Sequence, residues 1–235
     1  MEIPMKIPKR FIRTWWPTCG KPEIPALFEE WWQMFKDIHS TYEFVTITNY
    51  DMLDISDELM FLIERTKTCA GISDIIRLIA LYQLGGIYVD TDVMPIKSFD
   101  SLTEYDRPFL AKRSSKSFES AIIGSPPGHE AMLAVLNALP AYWKKHHDRY
   151  ASVQTGPAFL SSVLFGRPDV IHLPTSTFYP YSGWGPPPRE EKLKIFSNIN
   201  NFPQEMIAAH FSNNSWGTNK NKKKYIHNNN NPWWD

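Results

Sequence analysis

Two cysteines among 235 residues, Cys19 and Cys69, form neither a CxxC pair nor a Cys/His cluster at zinc-ligand spacing, which excludes a structural zinc module. Charge of one sign is not in excess: Lys plus Arg and Asp plus Glu both total 25, so no bulk affinity for nucleic acid is implied. No run reaches the ~20 apolar residues of a membrane span. The N-terminal stretch MEIPMKIPKRFIRTWW has prolines and charges where a signal peptide needs an apolar run. These absences lead to the expectation of a soluble, cytoplasmic protein held in a reducing compartment. The Asn213-Asn214-Ser215 sequon then carries no glycan. Aromatic residues, by contrast, are plentiful, with nine Trp. Core packing accounts for most such rings, and rings in excess often line sugar sites.

The pattern along the chain alternates strands with helices. Arg10 to Trp15 reads as a buried strand, and Pro25 to His39 carries apolar residues at helical period. Tyr42 to Thr48 is a β-rich run, and Leu59 to Lys67 and Ser73 to Leu84 read as helices. Gly85-Gly86 supplies a left-handed stop for the second of them. Ile87 to Val89 is then a short strand that runs into Asp90-Thr91-Asp92. Pro108 to Lys112, Ser120 to Gly124, Val170 to Leu173 and Met206 to Phe211 read as further strands, with helices over Glu130 to Lys144 and Pro157 to Phe165. This alternation predicts an α/β sandwich with a mostly parallel sheet, whose ligand site lies at the carboxyl ends of strands. Residues 1–217 are expected to form one domain. Residues 218–235, basic and Asn-rich without periodicity, read as a tail.

The acidic pair Asp90 and Asp92 sits at such a strand end. Both carboxylates can turn to one point only if the strand breaks into a turn there, and together they suit a hard divalent cation that leaves positions open for phosphate oxygens. A solvated turn is the plainer account of a lone DxD. Upstream, Asp74 and Arg77 lie three apart and share a helix face. They form either an intrahelical ion pair or a rigid carboxylate and guanidinium that bind sugar hydroxyls and a phosphate or ribose. Spacing alone leaves both accounts open.

Ser73-Asp74 with Arg77, followed by Gly85-Gly86-Ile87-Tyr88-Val89-Asp90-Thr91-Asp92, resembles the signature of DxD-containing glycosyltransferases of family 32, related to fungal initiating mannosyltransferases and to the core of glucosylating bacterial toxins. Ile7-Pro8-Lys9-Arg10 with Thr14-Trp15, Thr155-Gly156-Pro157, His210 and Ser215-Trp216 resemble further family elements, in order, so that the likeness spans residues 7–217. The resemblance implies a GT-A fold, a nucleotide-diphosphate sugar donor with UDP favoured over GDP, a divalent cation with manganese ahead of magnesium, a glycan or glycoprotein acceptor, and retention of anomeric configuration by front-face attack. It implies that Asp74 and Arg77 hold donor sugar hydroxyls, that Tyr88 and Asp90 contact ribose or sugar, and that Asp92 is the main metal carboxylate with Asp90 and His210 completing the site. Asp74, Arg77 and Asp92 become the expected catalytic set. Thr14 and Trp15 are implied to lie beside the base, Thr155 and Gly156 near the sugar where the acceptor enters, and Ser215 and Trp216 over the diphosphate.

Two departures stand out. Phe11-Ile12-Arg13 replaces the residues usual in the first strand, which brings Arg13 under suspicion of altered base or phosphate contacts, and His210 lacks a neighbouring histidine. A non-catalytic sugar- or nucleotide-binding module and a nucleotide-sugar hydrolase are the alternatives. The first has no use for both DxD carboxylates, and two-metal hydrolysis needs more Asp/His ligands than are present. Neither donor sugar nor acceptor is coded in the loops Arg113 to Glu119 and Tyr179 to Arg189.

Overall fold

The computed structural model describes residues 5–17, 22–180 and 189–212. Sixteen elements alternate along it: β1 (Arg10–Thr14), α1 (Ala26–Ile38), β2 (Glu43–Ile47), α2 (Asp57–Arg65), α3 (Cys69–Leu84), β3 (Gly86–Val89), β4 (Val93–Pro95), α4 (Asp100–Thr103), β5 (Phe109–Ser114), β6 (Ser117–Ser125), α5 (Glu130–His146), α6 (Ala151–Gln154), α7 (Pro157–Leu164), β7 (Ile171–Leu173), α8 (Arg189–Phe196) and β8 (Ala208–His210). Six strands make one sheet in the order β2-β1-β3-β6-β5-β7. Three of its five pairings are parallel, β1 with β2, β1 with β3 and β5 with β7, and β6 runs antiparallel to both neighbours. The expected α/β class with a mostly parallel sheet is therefore the observed one.

Helix α3 is apolar nearly all round, as a helix enclosed on every side must be. Ile75, Ile76, Leu78, Ile79 and Leu81 have essentially no contact with water. With α2, α5 and α7 they cover one face of the sheet against Ile12, Tyr88, Leu110 and Ile123. The other face carries Phe11, Ile87, Val89, Phe109 and Ile122, covered by Trp32 and Phe35 of α1 and by Phe99. The helix opens on Thr68, whose side chain accepts from the Gly71 amide, and closes on Gly85.

Gly85 and Gly86 both have positive φ, 61° and 112°. The chain reverses here from α3 into β3, and only glycine takes these angles without steric penalty. At Gly86 the space is also closed, because an added Cβ would sit 2.7 Å from the Arg10 carbonyl oxygen in the neighbouring strand.

Elements with weak local patterns were not legible. The expected last strand, Met206 to Phe211, does not join the main sheet; its core, β8, pairs antiparallel with β4 in a separate two-stranded ribbon that places Val93 opposite His210. Local pattern does not mark helices α6 and α8 either, the first being a single turn and the second, REEKLKIF, having little apolar periodicity. Cys69 is disulfide-bonded, and Cys19, the chain's other cysteine, lies outside the described residues. A disulfide persists in oxidising compartments, which runs against the expected reducing, cytoplasmic setting. No helix among the described residues is long and apolar enough to cross a membrane.

Gly86→Ala is expected to destabilise the protein by about 2 kcal/mol or more through backbone clash added to left-handed strain. Gly128→Ala, at φ 67° with open space around it, should cost only about 1 kcal/mol. Urea unfolding of the two variants measures the difference; equal losses would mean that the Arg10 contact is not limiting.

Candidate active site

Strand β3 is buried along its length and ends at Asp90, whose amide donates to the Ala121 carbonyl of β6. The ladder stops there. The Val93 amide returns to the Asp90 carbonyl at 3.2 Å, so residues 90–93 form the turn that lets two carboxylates separated by one residue face the same point. The Phe211 amide donates to the Asp92 carbonyl, which fastens the β8 end beside this turn. His210 thereby brings Nε2 to 3.3 Å from Asp92 Oδ1. One ligand atom each from Asp90, Asp92 and His210 lies within 4.8 Å of the others.

Helix α3 supplies the second half of the site. Arg77 is 5% exposed, and its Nη2 lies 3.0 Å from Asp74 Oδ1 and 3.1 Å from Asp90 Oδ1. Its Nη1 donates to the Ser120 carbonyl at 2.6 Å, and the guanidinium stacks 4.4 Å from the Tyr88 ring centroid. Asp74 also accepts from the Thr155 hydroxyl at 3.0 Å. The Tyr88 hydroxyl donates to Asp90 and shares a hydrogen bond with Thr14. The intrahelical ion pair read from spacing thus exists, but it is buried and continues to the DxD, which no exposed pair does.

All of these groups except Thr155 line a cavity of about 260 Å³ together with Ala70, Ser73, Thr91, Ser120, Ser152 and Ser212. Thr14, Asp74, Arg77, Tyr88, Asp90, Asp92 and His210 are brought together there as the sequence suggested. Thr155 is wholly buried behind Asp74. Gly156 sits so close that an added Cβ would lie 3.0 Å from Asp74 Oδ2. Trp15 is buried and is not part of the cavity lining, whereas its neighbour Trp16 donates to the Ser73 hydroxyl. Arg13 turns to the other side of the sheet, where it pairs with Glu29 and stacks on Trp32. Ser215 and Trp216 lie outside the described residues. Ser120 and Ser212 were missed because a serine has no periodicity or spacing to mark it.

The charge balance of the cluster is unusual. Burial, and to a smaller degree Asp90, push the Asp74 carboxyl up to about 6 against the pull of Arg77. Burial and then Asp92 raise Asp90, which Arg77 again opposes. Burial would lower His210, but Asp92 beside it raises it above its usual value. Among the described residues, Arg77 pairs with both Asp74 and Asp90, and His210 faces Asp92. Two carboxylate oxygens and an imidazole nitrogen converging on one point suit a divalent cation of the manganese or magnesium type.

Comparison with known proteins agrees with this geometry. Residues 25–108 match the family described as the glycosyltransferase sugar-binding region containing a DXD motif. Inositol phosphoceramide mannosyltransferase 3 of Schizosaccharomyces pombe is 34% identical over 167 residues, 67% of this chain and 44% of that protein. The chain belongs to the DXD glycosyltransferase family. Another family relative, mannosyl phosphorylinositol ceramide synthase SUR1 of Saccharomyces cerevisiae, is 29% identical over 68% of this chain and 42% of its own length. The chain thus spans less than half the length of these curated relatives. Among solved structures, PaToxG glycosyltransferase superposes with a TM-score of 0.60 at 17% identity, covering 69% of this chain and 70% of that one. The ligand-free glycosyltransferase domain from the YGT toxin does so at 0.54 and 11%, covering 71% and 80%. The fold is GT-A.

A carboxyl raised from 3.8 to about 6 on folding adds stability in full below pH 3.8 and loses it as pH rises through 6, a swing of about 3 kcal/mol. Asp74→Asn lacks that loss. Without metal, its stability relative to the parent protein should therefore improve between pH 4.5 and pH 7.5, read by urea unfolding. A difference that does not vary with pH would contradict the buried-charge account.

Proposed function

We propose that this protein is a metal-dependent glycosyltransferase that moves a sugar from a nucleotide-diphosphate sugar to a hydroxyl acceptor with retention of configuration. The observation that carries the reading is the continuous polar chain Thr155–Asp74–Arg77–Asp90, which ends in the Asp90, Asp92 and His210 cluster inside one cavity. Asp74 and Arg77 are rigid because both are buried and doubly held, so they present fixed partners to sugar hydroxyls at no reorganisation cost. Tyr88 and Thr14 line the same cavity, bonded to each other and, through Tyr88, to Asp90, as partners for the donor's ribose.

Asp90, Asp92 and His210 would hold the divalent cation, which supplies charge neutralisation of the diphosphate leaving group. Ser73 and Ser212 offer hydroxyls at the same cavity. Double displacement needs a free carboxylate as nucleophile. Each carboxylate lining the cavity is engaged: Asp74 with Arg77 and Thr155, Asp90 with Arg77 and Tyr88, Asp92 with His210. The reading is front-face transfer in one step, in which the acceptor oxygen bonds to the anomeric carbon as the phosphate leaves and the acceptor proton passes to that phosphate. UDP-sugars are the favoured donors, and GDP-mannose belongs in the same comparison because the relatives are named for mannosyl transfer.

Nucleotide release from UDP-glucose, UDP-galactose, UDP-N-acetylglucosamine and GDP-mannose is measured with manganese, with magnesium and with chelator. One donor should turn over with manganese and not with chelator, and Asp92→Asn should slow it by about 100-fold or more. Release that persists in chelator would overturn the metal assignment. Manganese should also raise the melting temperature of the parent protein and not of Asp92→Asn, because only the native site binds it.

A further inference from the structure

The polar side chains of the cavity meet the needs of a donor, yet a second group of polar atoms stands beside it with no role in that reading. Glu119 lies at the start of β6, one residue before Ser120, whose carbonyl receives Arg77 and which lines the cavity. Its side chain is three-quarters covered, at 25% exposure, and its Oε1 pairs with Arg113 Nε of β5 at 3.3 Å. Asp90 and His210 act on its charge, as Glu119 does on Tyr179. The Tyr179 ring meets His210 edge-on at 5.6 Å, and its buried hydroxyl, near the Ala121 and Ile122 amides, makes no well-formed hydrogen bond.

The local backbone explains why Glu119 is placed there. The register between β5 and β6 shifts on either side of Lys112, and the Phe118 amide donates to the Ser161 hydroxyl of α7. Such irregularities re-aim side chains and recur beside active sites. A carboxylate held three-quarters out of water by Arg113 keeps lone pairs directed at whatever enters beside it, and neutral hydroxyls can satisfy them without a second charge.

We infer that Glu119, positioned by Arg113 and flanked by Tyr179, is the acceptor-binding carboxylate, and that it takes hydrogen bonds from vicinal hydroxyls of a neutral polyol such as a sugar or cyclitol ring. The inference rests on the transferase reading above. A phosphate is excluded as its ligand by charge, and the donor sugar is already served by Asp74 and Arg77 from the α3 side. The hydroxyl that attacks must approach the bound sugar from outside the donor cavity, and Glu119 stands next to the Ser120 wall of that cavity.

The experiment uses whichever nucleotide sugar the parent protein hydrolyses, and adds methyl α-D-mannopyranoside, methyl β-D-glucopyranoside, methyl β-D-galactopyranoside or myo-inositol as acceptor. At least one should raise nucleotide release. Glu119→Gln, nearly isosteric, should raise the KM for that acceptor about tenfold, the loss of one charge-assisted hydrogen bond, and raise it by more than the donor KM. Glu119→Asp should recover part of the loss. The inference is overturned by an acceptor KM that stays unchanged, by donor and acceptor KM rising together, or by a parent protein that accepts none of the four polyols while still hydrolysing donor. Absence of donor hydrolysis before any acceptor is added overturns the donor reading itself, and this inference with it.

Discussion

A guanidinium that has almost no access to water must find its acceptors inside the protein, and the arrangement around Arg77 follows from that need. It binds Asp74 on its own helix, Asp90 at the end of β3 and the Ser120 carbonyl of β6, and it lies flat on Tyr88. Removing one partner of such a cluster typically costs about 3–5 kcal/mol, because the charge left behind is buried and uncompensated. The cluster therefore locks a helix and two strands into one mutual position. The donor site is the space that this lock leaves open.

The same lock leaves a charge imbalance. Arg77 is shared between Asp74 and Asp90, and burial raises both carboxyls rather than lowering them. A protein that kept this many carboxylates for stability alone would be working against itself, since apolar residues of similar volume often serve a core as well or better. Function is the better account of their presence: stability is given up locally so that positive charge and hydroxyls are received on arrival. His210 belongs to the same balance, because Asp92 raises it and a cation in the site would compete with its proton.

The arrangement also separates the ligands by charge. In the proposed reading, Asp90, Asp92 and His210 would meet the diphosphate through a cation, Arg77 and Asp74 would meet the sugar, and Glu119, beside the Ser120 wall, would meet a neutral acceptor. On that reading, specificity for donor and acceptor would be carried by different elements, α3 with β3 for one and the β5–β6 hairpin for the other.

What was legible in the sequence is what is written locally. The glycine pair marked the reversal from α3 to β3 because positive φ admits few other residues, the all-round apolar helix announced its burial, and a DxD at a strand end announced a turn with converging carboxylates. The Asp74–Arg77 ion pair was legible too, since three residues make one helical step. Only the tertiary structure decided the rest. Thr155 reaches Asp74 across 81 residues and Ser120 reaches Arg77 across 43. His210 arrives through a ribbon between β4 and β8 that no periodicity announced, and Trp16, not Trp15, reaches Ser73. Sheet order and layer packing set such contacts, and both depend on how the whole chain shares its buried surface. A local pattern fixes the direction of a side chain along its own element, but not which distant element it will meet.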